Sequence, residues 1–579
     1  MTRTGKMKSD MGRPVIALAA LLLAGTATSA HAQWSDGGFG GGGDAPQAGA
    51  SGKSGASDGA AKRGERRGGQ RGQRQVDVSP YLEVGQVLSA DLKNGGDVLT
   101  YTNVAIGVDA AVVTRRAEVA ASLRYEHQFG WSRGMGDQDI ISGLLRGRYE
   151  AVRGLNLEAG ALATRTRADG FGGGNLVDGS NVGHLYSVYA GPTVTQRVGG
   201  LDVGAGYRFG YTKFDVETPT LALPGGATRQ NVFDDSTNHV AWGSVGQRPG
   251  DLPFGWQVSG GYEREDASQL DQRYEGKYAR ADVTLPVSPT LALLGGIGYE
   301  KIEISQRAPI VDETNLPVID AGGRYVTDPA SPRQLAFETD GLIWDAGVMW
   351  QPSRRTALTA RVGRRYGDTI YTGSLTYRAN HATMVQVGVY DGLSSLGRGM
   401  SAGLAALPTQ FDPTRNPITG DIDDCVFGPQ GGGCLTPQLG SATAAQYRNR
   451  GVQAILTSEF GGWHYGVGAG YDRRRMLVPA ASAIAALNGM TEESYYLFLT
   501  AGRRLDADSD IGLSGYVNYL DSGVPGASDT TSAGISAYYT RRFWRGLTGT
   551  AAASLDAFDR DGFNSQLMGS ALVGLRYNF

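Results

Sequence analysis

Cysteine and histidine are scarce in this chain of 579 residues, at 2 and 6. The histidines, His31, His127, His184, His239, His381 and His464, are scattered singly. No HExxH motif, paired histidine spacing or zinc-type Cys/His set occurs, so neither a metal nor a cofactor is expected. Charge of one sign is also lacking. The net charge of −3 gives no bulk attraction to nucleic acid. Nowhere after the N-terminus do about twenty apolar residues run unbroken, as a membrane-spanning helix would require. Asp506, Asp508 and Asp510 alternate like part of a calcium loop. They lack the glycine and the glutamate that complete one, and read as a solvated acidic turn.

The N-terminus carries a targeting pattern. Arg3, Lys6, Lys8 and Arg13 precede a short apolar run from Val15 to Leu23, and Ala30-His31-Ala32 fits a small-x-small cleavage site. Residues 1–32 therefore read as a secretory signal peptide, with the mature chain starting at Gln33. Residues 33–77 form a leader that is Gly-rich at Gly37–Gly43 and basic at Lys62, Arg63, Arg66, Arg67, Arg71 and Arg74. With almost nothing apolar to bury, it is expected to be disordered. Its charge offers a periplasmic tether to anionic polysaccharide or peptidoglycan; a plain solvated leader fits the same composition.

Glycine is abundant, at 88 residues, and tyrosine numbers 27. From Val78 to Phe579 the dominant period is two. Val203, Ala205, Tyr207, Phe209 and Tyr211 share one face of a segment whose other face is Gly204, Gly206, Arg208, Gly210 and Thr212. Leu342, Trp344, Ala346, Val348 and Trp350 repeat the pattern, as do Trp463, Tyr465, Val467, Ala469 and Tyr471. Aromatic residues at the ends of apolar stripes are what interfacial girdles require. Short turns (Val198-Gly199-Gly200, Gln351-Pro352-Ser353, Gly461-Gly462, Arg545-Gly546) alternate with long loops at 168–183, 215–235, 307–335, 393–448 and 475–491. Counting the segments predicts an all-β, up-and-down antiparallel transmembrane barrel of about 22 strands (roughly 20–24) in the cell outer membrane, with the long loops outside. A soluble sandwich or propeller would share the period but not this alternation.

Nine charged residues fall on the predicted lumen faces: Arg124, Glu126, Arg146, Arg148, Arg208, Glu263, Asp345, Arg361 and Arg365. They suit a polar conduit with a mixed field, or a set of structural lumen ion pairs. Cys425 and Cys434 both lie in the longest loop, and a secreted location favours their pairing. That loop either folds into the lumen or caps the barrel from outside. No spacing of Ser, His and Asp argues for catalysis, and the chain is not expected to be an enzyme.

The ending Leu575-Arg576-Tyr577-Asn578-Phe579 resembles the closing strand of bacterial outer-membrane barrels, in which Tyr577 and Phe579 would be the signal read by the assembly machinery. With the Gly/Arg-rich leader, the Val78-Ser79-Pro80-Tyr81-Leu82-Glu83-Val84 strand and Leu123-Arg124-Tyr125-Glu126, the chain resembles an outer-membrane barrel family associated with exopolysaccharide and PEP-CTERM loci. The resemblance implies a role in a surface-polysaccharide system, with lipid and lipopolysaccharide as surroundings and no catalytic residues to carry over. A TonB-dependent receptor would match in strand number, but residues 33–75 are too few and too polar for its plug. Two functions follow as expectations: a porin-like conduit for polar solutes or exported polysaccharide, and a structural or polysaccharide-binding barrel with a loop-plugged lumen.

Overall fold

The computed structural model describes residues 75–579 except 96–97, 133–135, 168–181, 217–231, 315, 321–323, 412–413, 430, 441, 483 and 524–527. The expected signal peptide, the expected leader up to residue 74 and most of loops 168–183 and 215–235 lie outside the described residues. Residues 75–77, assigned by composition to the leader, pair with Val113, Val112 and Ala111.

The fold is one sheet of 22 antiparallel strands, each bonded to its sequence neighbours. The first strand, Gln75–Asp91, also pairs with the last, Gln566–Asn578, from Tyr81↔Asn578 to Asp91↔Met568. That pairing turns the sheet into a barrel with no free edge, the one form in which strands satisfy their backbone groups in lipid. Phe579 donates its backbone N–H to Pro80 O at 3.0 Å, and its ring meets Tyr577 edge-on.

The outward faces follow from the alternation. Tyr207, Phe209, Leu342, Trp344 and Trp350 are exposed, whereas Asp345 is buried. Tyr149, Trp350, Phe460, Trp544 and Tyr577 ring the short-turn rim, and Tyr125, Tyr262, Tyr299, Tyr371 and Tyr519 ring the other. Apolar side chains between two aromatic girdles, on a closed barrel, are the build of an outer-membrane protein. Among the described residues no helix is long and apolar enough to cross a membrane.

Short turns and long loops segregate to opposite rims. The turn expected at Gln351-Pro352-Ser353 comes slightly later, because the strand Gln334–Ser353 runs through Pro352. The ladder is irregular between Trp350 and Ser353, so the missing proline N–H breaks no regular bond there. On the loop side, one connection is tight. Strands Thr356–Arg365 and Asp368–Arg378 join through Tyr366 (φ 56°) and Gly367 (φ 74°), both left-handed as a two-residue hairpin turn requires. This hairpin ends low. Beside it, the ladder to the strand Thr383–Ser394 stops at Gly373↔Val389. Arg450 covers the backbone left free above, reaching Thr369 O at 3.0 Å and Asp368 at 2.8 Å.

Candidate functional site: the plugged lumen

The loop between the strands Thr383–Ser394 and Gln446–Phe460 folds into the lumen. It opens with a helix, α1 (Leu396–Ala406), whose N-cap Ser395 accepts the backbone N–H of Arg398 at 3.1 Å. Leu396, Met400 and Leu404 recur every fourth residue and form one stripe. That stripe packs on the wall residues Leu144, Leu162, Leu185 and Phe214, and the loop's own Phe411, Ile422, Val426, Leu435 and Leu439 extend the cluster. Ile418 reaches the closing strands and packs on Val87, Tyr101, Ala552 and Leu572. The loop therefore bridges the barrel from one wall to the other.

Charged anchors tie it to the wall. Arg398 sits 3.1 Å from Glu265, 2.9 Å from Gln446 and 3.6 Å above the Tyr274 ring. Ser395 also donates to Glu265, at 2.7 Å. Arg165 pairs with Asp421 at 2.7 Å. Arg415 donates to Ser142 and to Ser122, at 2.7 Å and 3.1 Å. Arg146 donates to the carbonyl oxygen of Ala405 at 3.2 Å. Charges buried this deeply are tolerated only when paired and hydrogen-bonded.

Cys425 and Cys434 are bonded to each other and lock a small hairpin, Cys425–Gly428 with Gly431–Cys434. The hairpin lies flush on the wall at Gly468, where an added Cβ would collide with both sulfur atoms. Phe427 stacks on Phe498 with ring centroids 6.1 Å apart. Glycine serves the wall likewise at Gly107, where a Cβ would fall within the Tyr81 ring.

The nine charged residues of the predicted lumen faces fall into separate groups. Arg124 pairs with Glu126 at 2.6 Å and with Glu83 at 3.1 Å. Arg146 pairs with Glu158 at 2.9 Å, and Arg148 donates to Asn156 at 3.1 Å. Arg208 is level with Glu263 one strand apart, through Val240, and Glu263 lies 3.7 Å from Arg398. Asp345 and Arg361, 2.6 Å apart, belong to a four-membered ring with Arg280 and Asp282. Arg365 is joined to Glu300 and lies over the Tyr366 ring.

Strict alternation misses Arg165. The ladder between the strands Gln138–Val152 and Leu155–Arg167 ends at Gly143↔Ala163, and past it the freed strand end turns Arg165 inward. Glu265, Arg398 and Arg415 were missed because their partners are far away in sequence. The four-residue spacing of Leu396, Met400 and Leu404 was the legible trace of α1.

Among the described residues, another part of the wall makes no ion pair with the loop. Thr500, Ser514, Ser536, Ser554, Ser570 and Ser89 are aligned across six adjacent strands at one level. Ser514 and Ser536 are 2.7 Å apart, and Ser89 and Ser570 are 2.8 Å apart. Tyr516 and Tyr538 flank this row, with Tyr516 donating to Asp556 at 2.9 Å. Among the described residues no cluster of His, Cys, Asp and Glu could hold a metal ion.

No known protein-family model and no curated protein sequence matches the chain. Among solved structures it is similar to the ferric-catecholate import receptor Fiu from E. coli K12, at 10% identity and a TM-score of 0.41, covering 88% of this chain and 82% of that one. It is likewise similar to the FrpB iron transporter from Neisseria meningitidis, at 9% identity and a TM-score of 0.40 over 86% and 81% of the two chains. The siderophore receptor PiuA from Acinetobacter baumannii gives 8% identity and a TM-score of 0.42 over 86% and 82%. Superpositions this loose carry no argument about function; the assignment as an outer-membrane β-barrel rests on the chain's own closure, girdles and outward apolar band.

Proposed function

We propose that the protein is a loop-plugged outer-membrane conduit for polar solutes, closed as described and opened by movement of the segment between Ser394 and Gln446. The observation that carries this reading is the ratio of wall to filling. About eight strands suffice for a barrel filled by its own side chains. Here 22 strands enclose a lumen, and among the described residues the loop between Ser394 and Gln446 packs on two separate parts of its wall. A wall of that circumference suits the passage of something wide.

Exported surface polysaccharide is the cargo we favour. The row of hydroxyls beside Tyr516 and Tyr538 offers hydrogen bonds and ring faces, with Asp556 as its one adjoining carboxylate among the described hydrogen bonds, as suits a polyhydroxylated chain. In this reading the nine inward-facing charges line the route, the basic leader meets anionic polysaccharide or peptidoglycan, and Tyr577 and Phe579 signal to the barrel assembly machinery. The second reading is a sealed barrel that binds polysaccharide at the surface, and the buried Arg398–Glu265 anchor speaks for it. A rim-sited enzyme has no such support.

Single-channel conductance in a planar bilayer, with and without residues 395–445, separates these readings. The conduit predicts closed or intermittent traces for the intact chain and stable conductance after deletion. A correctly folded deletion variant that never conducts would leave the surface-binding barrel.

A further inference from the structure

We propose that Asp423 and Asp424 make the plug a pH-operated gate: protonated, they hold the middle of the loop against a wall sector that gives them no ion-pair partner, and ionised, they drive it away. The inference rests on the conduit reading for its consequence but not for its test. Both side chains border a cavity of about 40 Å³ between the loop and the wall. The wall contributes Arg165, Phe498, Tyr516 and Asn518, and the loop contributes Asp421 and Thr436 beside the two carboxyls.

The charges around the cavity do not balance. Arg165 is engaged by Asp421, and Arg415 is directed to Ser122, Ser142 and the Gly420 carbonyl. Among the described residues the wall strands otherwise bring the hydroxyls of Tyr496, Tyr516 and Tyr538 and further carboxylates, Asp556 behind Tyr516, Asp472 behind Tyr496 and Asp510 near Tyr538. Among the described residues no cation lies within ion-pair distance of Asp423 or Asp424. Burial pushes Asp423 up to about 7, opposed in part by a hydrogen bond from Thr414 and by the more distant charge of Arg415. Burial, with Asp423 and Asp421 adding to it, pushes Asp424 up to about 7. A carboxyl so raised favours the docked loop most strongly below about pH 4. That preference falls as pH rises and is lost on passing through about 7, by roughly 1,000-fold for one carboxyl alone.

Hydrogen exchange of segment 414–424 in the full-length protein, in detergent micelles from pH 4 to 8 and corrected for intrinsic rate, tests this. Protection is expected to fall by about two to three orders of magnitude between pH 4 and 7 and then to level off. The variant Asp423→Asn/Asp424→Asn is expected to stay protected throughout. Asn518→Lys, which supplies a counter-ion from the wall, is expected to hold protection up to pH 7. Protection independent of pH in the natural protein, or the same fall in the double variant, would overturn the gate. If protection falls as expected while conductance stays absent at every pH, the gate stands and the conduit reading fails.

Discussion

Two sectors of the lumen wall treat the plug in opposite ways. Over the strands that carry Arg146, Arg165 and Glu265, the loop's charges Asp421 and Arg398 find counter-charges, and the wall's Arg146 donates to a loop carbonyl. Over the strands that carry Phe498, Tyr516 and Asn518, loop carboxylates face rings, hydroxyls and an amide. The first sector specifies where the loop sits. The second receives it only while the carboxylates stay neutral. A plug clamped on one side and conditionally seated on the other has a built-in direction of opening: its middle leaves first, and α1 remains.

The sharpest way to break this contrast is to remove the clamp. Arg398→Met leaves Glu265 buried without its cation, which costs about 3–5 kcal/mol by the usual penalty for breaking a buried pair. Exchange protection of α1 is expected to collapse at every pH, and Arg398→Met/Glu265→Leu should restore most of it. If α1 stays protected in the single variant, the charged sector is not the anchor.

The disulfide hairpin lies between the two sectors and should rank next. Replacing Cys425 and Cys434 by serine opens a bridge of sequence separation 9. Closing so short a loop is worth roughly 2–3 kcal/mol in the chain-entropy account. Gly468→Val attacks the same contact from the wall and is expected to cost about 1–3 kcal/mol by overpacking. Faster protease cleavage within 407–445 is the readout for both. Equal cleavage rates in the natural protein and Gly468→Val would mean that the hairpin does not depend on its seat.

The outward half of this architecture was legible because one face of each strand meets lipid. There a simple period of two selects Tyr207, Phe209, Trp344 and Trp350, and closure follows from the terminal strand. The inward half was legible only as polarity. Alternation marks Arg361 and Arg365 alike. Their surroundings come from strands and loops far off in sequence, and differ: Arg361 bridges two carboxylates, Asp282 and Asp345, and Arg365 lies over Tyr366 with the single carboxylate of Glu300. Arg165 escaped because a ladder that ends early turns an outward position inward. The difference between Arg361 and Arg365 is testable in the plug-deleted barrel. Arg361→Gln is expected to shift reversal potentials toward cation preference by a few millivolts, since a single charge in a wide, salt-screened lumen acts weakly. Arg365→Gln should leave selectivity unchanged and lower the unfolding temperature. A selectivity change from Arg365→Gln would put it on the solute path after all.

The smallest effect belongs to the neutral sector. Ser536→Ala removes the 2.7 Å hydrogen bond to Ser514. The bond itself is worth about 0.5–1.5 kcal/mol, and a hydroxyl facing a watery lumen recovers part of that from solvent, so the expected loss is under about 1 kcal/mol. Plug protection at pH 4 should therefore be indistinguishable from that of the natural protein, as should its fall toward pH 7. This near-silence is itself informative, because it distinguishes a wall that merely tolerates the neutral loop from one that grips it. Should Ser536→Ala release the plug as Arg398→Met does, the hydroxyl row would be a second anchor. The loop would then be clamped on both sides, and ionisation of Asp423 and Asp424 would strain the plug without opening it.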